Sequence, residues 1–171
     1  MPATVSQIAD IMIASGSRAL GYGELLLKDI PADRFAHMPL PNMNHAAFNY
    51  GHLSIYPNRL LSMIGRDDLV VEKPGFTDLF KAGSPCVEQD GRYPAKDVIA
   101  SYYVDRYQAL LKALEGVAEE TFARPNPAEG RMRELFPTVG KAVNFLLGAH
   151  HMMHLGQVSA WRRAIGLGSA M

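Results

Sequence analysis

Residues 138–166 read TVGKAVNFLLGAHHMMHLGQVSAWRRAIG, and this stretch decides the fold class. Apolar groups return at helical intervals through Val139, Val143, Leu146, Leu147, Met153, Val158, Trp161 and Ile165, which predicts one long amphipathic helix. Thr138 opens it, Gly166 closes it, and Arg162 and Arg163 occupy the last turn, the end that favours cations. Positions 143, 146, 150, 154, 157 and 161 each advance by three or four residues, so His150, His154 and Gln157 are expected on the inward stripe. His154 is rotated from His150 by ~40° and lies ~6 Å further along the axis, so the two imidazoles can converge on one point. His151, rotated ~100° from His150, is expected on the flank, with a His151–His154 pair as the alternative.

Working outward, the segment 94–116 repeats Val98, Tyr102, Tyr107, Leu110, Leu111 and Leu114, with Pro94 suited to a first turn and Asp97 complementing the helix dipole. The segment 44–64 carries Phe48, His52, Ile55, Arg59, Leu60 and Met63, with Gly65 as a stop signal and a kink expected at Pro57. The segment 4–29 repeats Ile8, Ile11, Met12, Ala19, Leu20 and Leu27, and Thr4 with Gln7 has capping-box spacing. Pro31 ends it.

Between the second and third helices, residues 66–92 hold Pro74, Gly75, Gly83, Pro85 and Gly91, with only 78–81 reading as a short helical turn. So long a connection inside a compact domain is a crossover or a functional loop. A second polar connection carries Pro125, Pro127 and Pro137. No strand competes, since 69–72 is short and isolated. The expectation is all-α: a four-helix bundle formed by a single domain over 1–171.

Composition narrows the function classes. A chain of 171 residues with 48% apolar and 20% charged residues is ordinary globular material. Seventeen Lys plus Arg balance seventeen Asp plus Glu, which leaves no net field to gather nucleic acid or anionic lipid. Every apolar run is broken well short of the ~18 residues a bilayer span needs, so no membrane association is expected. A single cysteine, Cys86, and a start without a secretory pattern point to a reducing cytoplasm.

Six histidines carry most of the functional information: His37, His45, His52, His150, His151 and His154. A histidine near a core is commonly a satisfied polar group, and HxxxH alone arises by chance. Here two imidazoles fall on a stripe otherwise filled with Leu, Val and Met, where burial without partners is costly and a shared metal would satisfy both. A third ligand has to come from elsewhere, and His52 and His45 on the second helix share a face. Seven residues separate them by ~10.5 Å, too far for both to reach one ion through bonds of ~2.1 Å, so one is a ligand and the other is not. Two familiar alternatives fail on residue type. A zincin helix needs Glu after its first histidine, and a carboxylate di-iron site needs inward acids, whereas 138–171 contains neither Asp nor Glu. Neutral imidazoles leave a divalent ion its full charge and an open position for water, a thiolate or a carboxylate.

The segment 44–65, with Gly51, His52 and Leu53 at its centre, and the segment HHMMHLGQ at 150–157 resemble the two signature helices of the DinB-like (DinB/YfiT) superfamily. The long crossover and the helix count are also similar, so the resemblance covers essentially the whole chain. It implies an up-down-down-up four-helix bundle, commonly a homodimer, holding a divalent metal through His52, His150 and His154. Members of the superfamily include mycothiol-dependent maleylpyruvate isomerases and bacillithiol transferases, while many members have no established activity. The family name does not imply DNA chemistry.

The expected function is therefore a mononuclear divalent-metal protein, a metal-dependent transferase using a small thiol. The alternatives are a metal-dependent hydrolase and a non-catalytic metal-binding or stress-response protein. Imidazole ligands suit Zn and Ni, with Fe, Mn and Cu also admitted. Around the site, Gln157 could fix an imidazole tautomer or a metal-bound water, and Asn49 and Tyr56 flank His52 at spacings that reach the open position. Tyr102, Tyr103 and Arg106 are candidates to line a pocket for an anionic substrate, with Arg106 as the charged donor. Asp105 would close the coordination sphere if it reached the ion, and Cys86 could act as a nucleophile only with a lowered pKa.

Overall fold

A computed structural model describes residues 6–170. Helix α1 (Gln7–Leu27) is capped by Ser6, whose hydroxyl accepts from the Ala9 amide at 3.1 Å. Thr4 of the expected capping box lies outside the described residues. Helix α2 (Ala46–Met63) begins one residue after His45 and runs unbroken through Pro57. Helix α4 (Lys96–Leu114) starts later than Pro94 suggests, because the Ala95 carbonyl is the first to accept a helical bond, from Ile99.

The run 139–164 is continuous but not uniform. Helix α7 (Val139–Asn144) passes into a π-helical turn (Phe145–His150) and then into α8 (His151–Ala164). Thr138 caps its start, its side chain accepting from the Lys141 amide. The π turn alters the phase of everything after it. In an α-helix each step of four residues drifts by ~40° around the axis. A wider i→i+5 turn takes back that drift, so rows spaced by four run straight. Val139, Val143, Leu147, His151 and Leu155 are accordingly all buried. Met153, expected in the core by ideal phasing, is 57% exposed.

Helices α1 and α2 each pack against both α4 and α8, and His52 of α2 meets His150, the last residue of the π turn. The buried apolar side chains form one continuous cluster that includes Trp161, Tyr50, Phe80, Leu53 and Leu147. Several close approaches depend on glycine, two of them against aromatic rings. A Cβ on Gly23 would meet the Tyr103 side chain, and one on Gly51 would meet the Phe80 ring at 2.5 Å. Gly51 thus lets the crossover lie directly on α2.

The crossover contains a short 3-10 turn (Asp67–Leu69) and α3 (Phe76–Phe80), slightly earlier than the 78–81 turn read from sequence because Gly75, in the left-handed region at φ 78°, starts it. Phe76 and Phe80 anchor it, Phe76 edge-on to Tyr102 and Phe80 edge-on to Phe48. Arg106 is buried and donates to the Leu69 carbonyl at 2.7 Å, while pairing with Asp105 at 2.7 Å. The structure places Arg106, the residue expected to serve an anionic substrate, against the crossover, with its guanidinium engaged by the Leu69 carbonyl and Asp105. The second connection is not wholly irregular, holding α5 (Glu119–Ala123) and α6 (Arg131–Leu135). Among the described residues there is no strand, only an isolated bridge between Pro125 and Thr138. No helix of the described residues is long and apolar enough to cross a membrane.

Candidate metal centre

Three imidazoles converge between α2 and the 139–164 run. His52, His150 and His154 each offer a ring nitrogen, and these atoms all lie within 4.8 Å of one another. Nε2 of His52 stands 3.3 Å from Nε2 of His150. That separation matches the ~3.4 Å edge of a tetrahedron built on Zn–N bonds of ~2.1 Å.

The other ring nitrogens explain how the rings are aimed. Nδ1 of His52 donates to the Phe80 carbonyl at 2.7 Å, which leaves its Nε2 unprotonated. The contact exists because Gly51 admits the Phe80 ring against the helix. Nδ1 of His154 donates to Oδ1 of Asn49 at 2.9 Å. Asn49 is itself oriented, since its amide nitrogen donates to the carbonyls of Asn44 at 3.1 Å and His45 at 3.2 Å. Its oxygen must then face His154, and Nε2 of His154 is also a bare lone pair. Nδ1 of His150 is buried and has no hydrogen-bond partner among the described residues. Two lone pairs held toward a third buried imidazole are poorly satisfied by one another and well satisfied by a cation, so the donor set fits a divalent metal.

Burial holds all three rings neutral, the form that ligates. It lowers the His52 pKa, lowers that of His150 to about 4 with help from His52, and lowers that of His154 to about 3 with help from the neighbouring histidines. The Tyr56 ring lies 4.9 Å from that of His52 and 4.6 Å from that of His150. Burial raises its pKa, so Tyr56 meets the site as a neutral phenol, a donor rather than a base.

Several expected placements change. His151, read onto the helix flank, is fully buried: its ring stacks on Tyr107 at 4.1 Å, and its Nε2 pairs with the Tyr103 hydroxyl. The π turn brings both adjacent histidines inward, one toward the metal cluster and one into the core. Tyr103, expected to line a substrate pocket, instead pairs with His151. Gln157, expected on the inward stripe, is exposed and accepts from Asn44 at 3.2 Å, so Asn49 and not Gln157 fixes an imidazole tautomer. Both ends of the Asn49 amide are thereby engaged. His45 is the helix cap: its Nδ1 accepts from the Phe48 amide at 3.1 Å and its Nε2 donates to the Val87 carbonyl at 2.9 Å. His37 pairs with Glu88 at 3.2 Å. Asp105 is turned to Arg106 and does not belong to the converging group. Burial pushes the Cys86 thiol pKa up, the opposite of an activated nucleophile.

The Phe80 carbonyl went unforeseen, because a backbone acceptor has no residue-type signature. Only the glycine before His52 hinted at a close neighbour.

A family model described as the DinB superfamily matches residues 22–158. No curated protein and no solved structure matches the chain.

Proposed function

The chain belongs to the DinB superfamily, and from that premise we propose that His52, His150 and His154 bind one divalent metal ion and that the centre activates a small thiol for transfer to an electrophile. The observation that carries the reading is the pair of committed Nδ1–H groups, to the Phe80 carbonyl and to Asn49, which aims two bare Nε2 atoms at the third imidazole. Zinc or nickel suits three imidazoles, and affinity alone does not choose between them. When bound, such a cation lowers the pKa of a coordinated thiol or water.

The protein's own groups do the rest. Phe80 and Asn49 hold the tautomers, and the buried walls keep the rings neutral. Tyr56 can donate a hydrogen bond to an anionic group beside His52 and His150. No carboxylate joins the cluster among the described residues and Tyr56 is protonated, so no general base stands beside it. That absence favours an acidic nucleophile such as a thiol over water, which would require a proton acceptor. A homodimer is part of the same proposal, from family membership alone.

Elemental analysis of protein purified without a polyhistidine tag should give about one divalent ion per chain. His52→Ala and His154→Ala should lose it, while His45→Ala should keep it. Cobalt- or nickel-loaded protein titrated with glutathione, mycothiol and bacillithiol should develop sulfur-to-metal charge-transfer absorption. No spectral change with any thiol, beside metal-dependent ester hydrolysis lost in His154→Ala, would replace the transferase with a hydrolase.

A further inference from the structure

Tyr56, whose ring meets those of His52 and His150, also lines a cavity of about 380 Å³ bounded by α2, the crossover and Tyr102 of α4. Its size is at the small end of small-molecule sites. The floor is aromatic and held in place. Phe76 packs edge-on against Tyr102 with centroids 5.1 Å apart. The Tyr102 hydroxyl donates to the Val71 carbonyl at 2.8 Å and accepts from Asn58 at 3.0 Å. With their polar atoms paired to one another, these walls offer a ligand flat apolar surface and no ready hydrogen bond.

The charge comes from the rim. Arg59, Lys73 and Lys81 line the cavity against one acid, Glu72. Lys81 is engaged with Asp78 at 3.0 Å. Arg59 and Lys73 form no ion pair among the described residues and instead rest on aromatic faces. The Arg59 guanidinium lies 5.9 Å from the Tyr56 centroid, and the Lys73 ammonium lies 5.4 Å from Tyr102 and 5.8 Å from Phe76. Two cations held over a ring-lined hollow match a ligand with a flat body and an anionic end.

We propose that this cavity binds a small aromatic carboxylate, with its ring on Phe76 and Tyr102 and its carboxylate between Arg59 and Lys73. Tyr56 lines this cavity and its ring also meets those of His52 and His150, so the bound molecule is a neighbour of the histidine cluster. The binding does not depend on the proposed metal centre. Of the residues expected to line a pocket for an anion, Tyr102 lines this cavity, while Arg106 is bonded to the crossover.

The test uses 2-naphthoate as probe and 2-naphthylmethanol as its uncharged counterpart, with calorimetry and methyl NMR on both metal-loaded and chelated protein. One naphthoate should bind per chain in both preparations and shift the methyl signals of Ile55 and Thr77. Affinity should fall about tenfold or more for the alcohol and for the Arg59→Gln/Lys73→Gln variant. It should hold in Lys112→Gln, whose lysine pairs with Glu115 elsewhere on the surface. Binding that ignores the charge changes, shifts confined to other methyls, or no saturation at millimolar probe would overturn the proposal. Metal content measured on the same samples separates the two readings: naphthoate bound by protein that takes up no metal leaves the cavity standing and removes the metal centre.

Discussion

Replacing Tyr103 with Phe tests the placement of His151 and the altered phase of the 139–164 run. The ring itself packs against Tyr50 and Tyr107, so Phe keeps the volume and leaves no cavity. What disappears is the hydroxyl paired with Nε2 of His151, a nitrogen on a residue that is 0% exposed and that water cannot reach. The loss is one hydrogen bond plus an orphaned buried ring nitrogen, about 1–3 kcal/mol. For a chain of this size each kcal/mol moves Tm by about 2–4 °C, so a drop of about 2–12 °C is expected. Denaturant and thermal melts followed by circular dichroism on metal-free protein measure it. His151→Phe and the double variant complete a cycle whose coupling should reach about 0.5–3 kcal/mol. If His151 instead lay on the exposed flank, as ideal α-helical phasing places it, Tyr103→Phe would stay within about 0.5 kcal/mol and the coupling would vanish. That result would refute the π-turn account.

Gly51→Ala should push the Phe80 ring, which stands 2.5 Å from the new Cβ, and with it the carbonyl that orients His52. A stability loss of about 1–3 kcal/mol and metal affinity weakened about 10–100-fold are expected, and unchanged affinity in a metal-competition titration would show that the carbonyl does not orient the ligand. Burial lowers the His45 pKa below 6.5, so its contribution to stability is full above that pH and is lost as pH falls, because the unfolded chain takes up the proton first. His45→Asn, a cap that does not titrate, should reduce the slope of unfolding free energy below pH 6.5 by up to about 1.4 kcal/mol per pH unit; equal slopes in both proteins would contradict the capping role. Chelation should leave the helical circular dichroism in place at room temperature, since the apolar cluster runs through all four long helices without the metal. A metal-free chain that has lost its helices would show instead that the ion drives folding.

Much of this protein follows from the sequence by itself. Helical periodicity, with Thr138 and Gly65 as end signals, is local chemistry set by the backbone, and it was enough to predict an all-helical chain with its four long helices. The spacing of His150 and His154 is equally local: four residues along a helix place two rings on one side whatever the rest of the chain does. The resemblance around Gly51, His52 and the HHMMHLGQ run pointed to the superfamily whose model matches 22–158. Residue type also excluded a zincin or a carboxylate di-iron centre, since an acid missing from 138–171 cannot be supplied by packing.

Tertiary structure decided which partner each polar group found. Spacing alone left His45 and His52 as equal claimants, and only the fold shows His45 turned back to the Phe48 amide and His52 aimed at His150. Asn49 took the tautomer-fixing role expected of Gln157, and His151 moved from flank to core because a π turn breaks the ideal phase on which such readings depend. Arg106 was taken by the Leu69 carbonyl, a group every residue possesses and no sequence pattern marks. Periodicity along one helix is carried by the covalent chain. Which carbonyl, ring or cation meets it from a distant segment is settled only when the helices pack and each buried polar atom must find a partner.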